Sequence, residues 1–175
     1  PEKGLHHLVE TFIELAKLPG TENLTLHVAG WLGEHQHDYF GGLTKKIQDA
    51  ELGHRFVYHG SPDLSGKVRL LRSYDVTCVP TDYQDPKGLF VLESLAAGTP
   101  VILPDHGAFS EVIASTRGGL LHTPGDQKAL ADCIVRLKQD NSLRSDLAAQ
   151  GQQAVRKLHA IERAAEEMKR ICFPH

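Results

Sequence analysis

The residues able to do chemistry crowd into one run, Asp85-Pro-Lys-Gly-Leu-Phe-Val-Leu-Glu93. From Gly88 to Ala97 the chain is apolar apart from Glu93 and Ser94, the composition of a short buried helix. A helix opening at Gly88 leaves the amides of Gly88, Leu89 and Phe90 without partners inside it. Their dipoles favour an anion such as phosphate, and a glycine at the entry lets a ligand approach the backbone closely. Asp85, in the polar loop just ahead, can accept bonds from sugar hydroxyls. Glu93 is an acid on an apolar helix, where an unpaired carboxylate is costly. Either a neighbouring loop answers it, or its side chain emerges at the helix end, or it reaches ligand hydroxyls at the rim of a sheet. An anion cradle between two hydroxyl-binding carboxylates has the charge pattern of a diphosphate set between two sugars.

The rest of the chain must position that run. Leu5, Leu8, Val9, Phe12, Ile13 and Ala16 recur at helical spacing until Pro19-Gly20. Strands are expected at 24–30, 55–59, 76–80, 100–103 and 119–121. Between them lie helices marked by Tyr39, Leu43, Ile47 and Ala50, then at 63–72, 88–97 and 109–114. Beyond Asp126, a good N-cap, the chain is helical; Asn141 is the expected cap of the next helix, and 160–171 forms a charged, amphipathic end. Such alternation with short connections predicts an α/β fold, a Rossmann-like doubly wound parallel sheet with helices on both faces. Ligands of such sheets sit beyond the carboxyl ends of the strands, here at 30–33, 60–63, 81–88 and 105–108. The chain opens on a helix at Pro1, so a preceding strand and its loop are expected in a longer parent.

Composition removes other classes. The 175 residues make one domain, 1–175, with a helical part from 126. A net charge of -3 argues against nucleic acid as the main partner. No apolar stretch is long enough for a transmembrane segment and no signal-peptide pattern opens the chain. An odd number of cysteines with no framework fits a reducing compartment, with the cytoplasm as the default location. Cys78, Cys133 and Cys172 match no metal-ligand spacing; Cys78 and Cys133 read as small core residues. His35 and His37 share a polar loop with Glu34 and Asp38 and read as loop polarity, without the spacing of a zinc site. His106 and Lys87 read as loop residues bordering the ligand rim.

The run from Asp85 through Glu93 to Ser-Leu-Ala-Ala-Gly-Thr-Pro-Val101 resembles the signature of glycosyltransferase family 4, with seven residues between the acids. Other motifs follow in register. Lys3-Gly4 resembles the Lys-Gly that opens this family's carboxy-terminal domain, and Phe56-Val-Tyr-His-Gly60 its strand ending in glycine. Tyr74-Asp-Val-Thr-Cys-Val-Pro80 is similar to a further strand. Gly107 to Glu111, Gly118-Gly-Leu-Leu and Pro124-Gly-Asp-Gln-Lys-Ala-Leu130 complete the pattern, which covers nearly the whole chain.

The resemblance implies a GT-B architecture of two facing Rossmann-like domains, of which this is the donor-binding half. Lys3 would neutralise the donor diphosphate together with the amides of Gly88, Leu89 and Phe90. Glu93 would bind the ribose, Asp85 would contact the transferred sugar, and the loop around Gly60 and Ser61 would lie against the base. Family members typically retain the anomeric configuration and need no metal or other cofactor for donor binding. The pattern is departed from at Asp85, where the family usually has glutamate. The family's phosphate-binding arginine would precede Pro1, and the amino-terminal acceptor domain is not in this chain.

The expected function is therefore transfer of a sugar from a nucleotide diphosphate sugar by the full-length parent, with this fragment inactive alone. The alternatives are a non-catalytic nucleotide-sugar-binding or scaffold module of the same fold, and a related nucleotide-sugar epimerase. A glycosidase ranks lower, because a helix N-terminus and a lysine suit a phosphate leaving group and not attack by water.

Overall fold

The computed structural model describes residues 2–173; Pro1, Pro174 and His175 lie outside them. The element order is α1 (Leu5–Leu15), β1 (Leu26–Val28), α2 (His37–Asp49), β2 (Phe56–Tyr58), α3 (Leu64–Ser73), β3 (Thr77–Cys78), α4 (Leu89–Ala97), β4 (Val101–Pro104), α5 (Phe109–Thr116), β5 (Gly119–His122), α6 (Gln127–Gln139), α7 (Asn141–Leu158) and α8 (Ile161–Cys172). Every strand pairing among the described residues is parallel, as strand–helix alternation requires. The first three strands are shorter than the sequence suggests, whereas β4 and β5 keep or slightly exceed their expected lengths.

The ladders fall into two groups, β1-β2 and β3-β4-β5. Leu26 pairs with Phe56, Thr77 with Val101, and Val101 in turn with Gly119. Among the described residues no ladder joins β1 to β3. The packing is nevertheless continuous, because Leu8 and Leu24 lie against both the core beneath β1 and the core beneath β4.

β4 shows why the sheet is covered twice. Its side chains alternate between faces, as a strand must. Ile102 joins Leu15, Leu130, Ile134 and Leu137, under α1 and α6. Val101 and Leu103 join Val91, Leu95, Phe109 and Val155, under α4, α5 and α7. All three β4 residues are fully buried, which is the reason a parallel central strand is apolar without a break. Cys78 and Cys133 line the core on the Ile102 side, and burial pushes the Cys78 thiol upward. The cysteines are free, with Cys172 exposed. No helix among the described residues is long and apolar enough to cross a membrane.

Two caps illustrate how local chemistry sets the helix starts. Asp126 accepts a bond from the Ala129 amide at 2.9 Å, as expected of an N-cap. The cap of α7 is not Asn141 but Asp140, whose carboxylate accepts from the Leu143 amide at 2.8 Å. A carboxylate at this point also meets the positive end of the helix dipole, which a neutral amide does to a lesser degree. Asp140→Ala should therefore lower the unfolding free energy by about 1 kcal/mol, whereas Asn141→Ala should leave it nearly unchanged, both read by urea denaturation.

Candidate functional site

The loop from β3 to α4 and the start of α1 meet at the carboxyl end of β3. Their contact is set by Gly4, which caps α1 in the left-handed region at φ 71°. A Cβ at this position would stand 1.8 Å from the Pro80 carbonyl oxygen, so only glycine lets the two backbones come this close. Next to it the Glu2 carbonyl accepts from the Thr81 hydroxyl at 2.8 Å and the Asp82 amide at 3.2 Å. The segment carrying Lys3 is thereby stitched to the loop carrying Asp85.

Asp85 is buried, only 7% exposed, and its carboxylate accepts four hydrogen bonds. Oδ1 takes the amides of Gly88 at 2.8 Å and Lys87 at 3.0 Å. Oδ2 takes the Tyr83 hydroxyl at 2.8 Å and Lys3 Nζ at 2.9 Å. Burial by itself would raise the Asp85 pKa, but the bonds from Gly88, Lys3, Lys87 and Tyr83 outweigh it and hold the group well below the usual carboxylate range. Lys3 moves the opposite way. Partial burial opposes its charge, yet its bonds to Tyr83 and Asp85 prevail and raise its pKa. Its Nζ also lies 4.7 Å from the Tyr83 ring centroid and 5.2 Å from that of Phe90, within cation–π range.

This geometry alters the expected anion cradle. The Gly88 amide is already held by Asp85, whereas the amides of Leu89 and Phe90 have no acceptor among the described residues. Helix geometry explains the difference, since the first amides of α4 lack a carbonyl one turn back. Lys3 has three N–H donors, of which two are directed at Tyr83 and Asp85. The third and the two free amides are the donors left for an oxyanion.

Glu93 emerges from its helix, though from the middle of α4 and not from its end. Its side chain is 44% exposed, so it is not a buried lone acid, and Lys67 of α3 answers it at 2.6 Å. The apolar face of α4 turns Val91 and Leu95 inward, while Ser94, though polar, is buried with its hydroxyl 3.0 Å from the Thr99 carbonyl. Because α3 follows the 60–63 loop, Lys67 brings Glu93 beside the element that Gly60 and Ser61 lead into. The structure thus joins Lys3, Asp85, Gly88, Leu89 and Phe90 in one cluster, and ties Glu93 to α3 in another. Lys87 contributes its amide, not its exposed side chain. His106 sends Nε2 to the Thr81 carbonyl at 3.0 Å and holds the loop, and His35 and His37 are exposed.

Tyr83 and Lys67 did not stand out in the sequence. A hydroxyl two residues before a buried acid is the only trace Tyr83 leaves there, and Lys67 is one of many lysines on an exposed helix face.

Asp85→Asn should cost about 1–3 kcal/mol, because the amide that replaces Oδ1 or Oδ2 turns a donor towards existing donors. The sign of the pH dependence follows from the depressed pKa. The contribution of Asp85 is complete above the unfolded-state value near 3.8 and is lost as pH falls from there through the lower folded value. Urea denaturation across that acid range should show a steeper loss of stability in the wild type than in Asp85→Asn.

Comparison with known proteins shows the family. Residues 1–154 match the family model described as glycosyl transferases group 1, and the chain belongs to that family. It is 35% identical over 162 residues to a phosphatidyl-myo-inositol mannosyltransferase of Mycobacterium leprae, covering 90% of this chain and 39% of that protein. Its fold is similar to that of a sucrose-phosphate synthase from Thermosynechococcus elongatus, with a TM-score of 0.81 and 27% identity over 97% of this chain and 41% of the other. It is also similar to the C-terminal domain of a glycosyl transferase group 1 family protein (LpcC) from Francisella tularensis, with a TM-score of 0.80, 25% identity, and coverage of 91% and 81%. These neighbours are GT-B glycosyltransferases. The chain spans about two fifths of the curated relative's length.

Proposed function

We propose that this member of the glycosyl transferases group 1 family is the donor-binding half of a retaining glycosyltransferase, which takes a sugar from a nucleoside diphosphate sugar. The observation that carries the proposal is the convergence of Lys3 and the free amides of Leu89 and Phe90 at the carboxyl end of β3. The diphosphate lies across these donors. Glu93 exchanges its bond with Lys67 for the ribose hydroxyls, and the Gly60–Ser61 turn lies against the base. Asp85 acts chiefly through Lys3 and the Gly88 amide, fixing both where the phosphates arrive, and meets the transferred sugar with whatever acceptor capacity remains.

In the reaction, the bond from the anomeric carbon to the donor phosphate oxygen breaks, and an acceptor oxygen bonds to the same face of that carbon. The acceptor's proton passes to the departing phosphate oxygen or to a group of the other domain. The chain's part is electrostatic: it stabilises the negative charge that grows on the diphosphate, as preorganised donors do without moving at the moment of reaction. No metal or other cofactor is required for this binding. The acceptor site belongs to an amino-terminal domain of the parent, and the chain alone binds nucleotide weakly and transfers nothing.

The degree to which Asp85 is engaged inside its own loop favours a second reading, a nucleotide-sugar-binding or scaffold module without turnover. Thermal unfolding with UDP, GDP and ADP separates these from the absence of any nucleotide site, since a ligand of the folded state raises the melting temperature. One base series should give a rise. Lys3→Ala should weaken that nucleotide about tenfold or more, the loss of one charge-assisted bond. Glu93→Ala should weaken nucleotide while leaving inorganic diphosphate unaffected. No rise with any of the three at millimolar concentration would sink the donor reading. Release of nucleotide from the sugar donor by the full-length parent, given acceptors, distinguishes the enzyme from the module.

A further inference from the structure

Beside the Lys3–Asp85 cluster the structure brings together three side chains that the donor reading leaves unused. His6 and His7 occupy the first turn of α1, their ring centroids 3.9 Å apart, and Asp82 comes from the β3–α4 loop. His7 Nε2 lies 2.7 Å from Asp82 Oδ1, and His6 Nε2 lies 3.7 Å from Asp82 Oδ2. The nitrogen of each imidazole and an oxygen of the carboxylate all fall within 4.8 Å of one another.

The geometry points to a binding site for a divalent transition-metal ion of the zinc class, formed by His6 Nε2, His7 Nε2 and the Asp82 carboxylate. Two imidazoles and one carboxylate are a donor set suited to such ions. An ion about 2.0 Å from each ligand in a tetrahedral arrangement needs ligand atoms about 3.3 Å apart. The His6–Asp82 separation of 3.7 Å is too long for a hydrogen bond and close to that spacing. The His7–Asp82 pair, at 2.7 Å, needs to open by roughly 0.6 Å on that same tetrahedral geometry. The Asp82 side chain is half exposed and free to give that much.

The surroundings supply what an ion site needs beyond its ligands. His6 Nδ1 is 3.0 Å from the Tyr39 hydroxyl. With its proton on Nδ1, His6 donates to Tyr39 and turns the lone pair of Nε2 towards Asp82, the arrangement that fixes a ligating imidazole. His7 binds the ion through Nε2 with its ring proton on Nδ1, and its hydrogen bond to Asp82 gives way to the ion. Gly4 packed on Pro80 and Glu2 bonded to Thr81 and Asp82 hold α1 and the loop in register, so the ligands from two elements meet a formed site.

Next to the histidines opens a depression of about 610 Å³, bordered also by Glu10, Gly125 and Asp126, through which water or a small anion can reach the ion's remaining position. Glu10 is not a fourth ligand, because its oxygens already meet Lys46 at 2.6 Å and Gln127 at 2.8 Å. The ion would clamp α1 to the loop that carries Asp85. Its ligands are none of the residues proposed for the donor's phosphates, so metal-free donor binding is compatible with it.

The test is titration of the nucleotide-free chain with Co²⁺, followed by visible absorption, with Zn²⁺ as competitor. One equivalent should produce the intense bands of a four- or five-coordinate Co²⁺ site, and Zn²⁺ should abolish them. His7→Gln, His6→Gln and Asp82→Asn should each weaken Co²⁺ binding more than tenfold, and Tyr39→Phe by about tenfold as loss of the outer partner. His35→Gln, on an exposed turn, should change nothing. Melting temperatures without metal identify any variant that fails to fold, and the remaining ligand variants then decide. Only the pale spectrum of aqueous Co²⁺, or binding unaltered by the ligand variants that fold, would overturn the site and leave the cluster a hydrogen-bonded clamp. Since no nucleotide is present, neither outcome touches the donor reading.

Discussion

A single buried carboxylate organises the site and the elements around it. Asp85 takes two backbone amides at the start of α4, the hydroxyl of Tyr83 and the ammonium of Lys3. An ionised group so far removed from water persists only where its lone pairs are answered, and here they are answered from three directions. That requirement fixes the path of the loop, the entry of α4 and the position of the segment before α1. It also sets the electrostatics. Lys3 and Asp85 nearly cancel as charges, so the pair offers little net charge to an anion. What the site offers an anion is the helix dipole and the donors left over, which are short-ranged and directional.

Much of this architecture was legible in the sequence. The alternation of Leu24, Leu26 and Val28 and the period near 3.6 in α1 and α6 arise from burial on one face, and the order of strands and helices gives the doubly covered sheet, so both could be read directly. Asp126 could be read as a cap for the same local reason. That Asp85 stands in a loop at the entry of α4 was also legible, since a helix entry preceded by a polar loop is a local feature.

What could not be read was pairing across the chain. Nothing in the sequence says that residue 3 meets residue 85, or that Lys67 meets Glu93, because those contacts depend on how β3, α3 and α4 lie side by side. The emergence of Glu93 could be read only as one alternative for a related reason: the composition of a helix gives its mean environment, and one polar residue can still face out. The choice of Asp140 over Asn141 turns on a single dihedral step at the helix start, below what periodicity resolves. His6, His7 and Asp82 escaped notice because adjacent histidines on a helix have no ligand spacing of their own until a loop 75 residues away supplies the carboxylate.

The division of the ladders into β1-β2 and β3-β4-β5 has a consequence for recognition. One rim of β1 and one of β3 carry no ladder partner among the described residues, and such rims accept extended backbone from any source. Their brevity limits that hazard, since β1 has three residues and β3 two. A guest that touches a single rim gains only a few hydrogen bonds and dissociates readily. A segment long enough to engage both would gain from each at once, with the second contact made at high effective concentration.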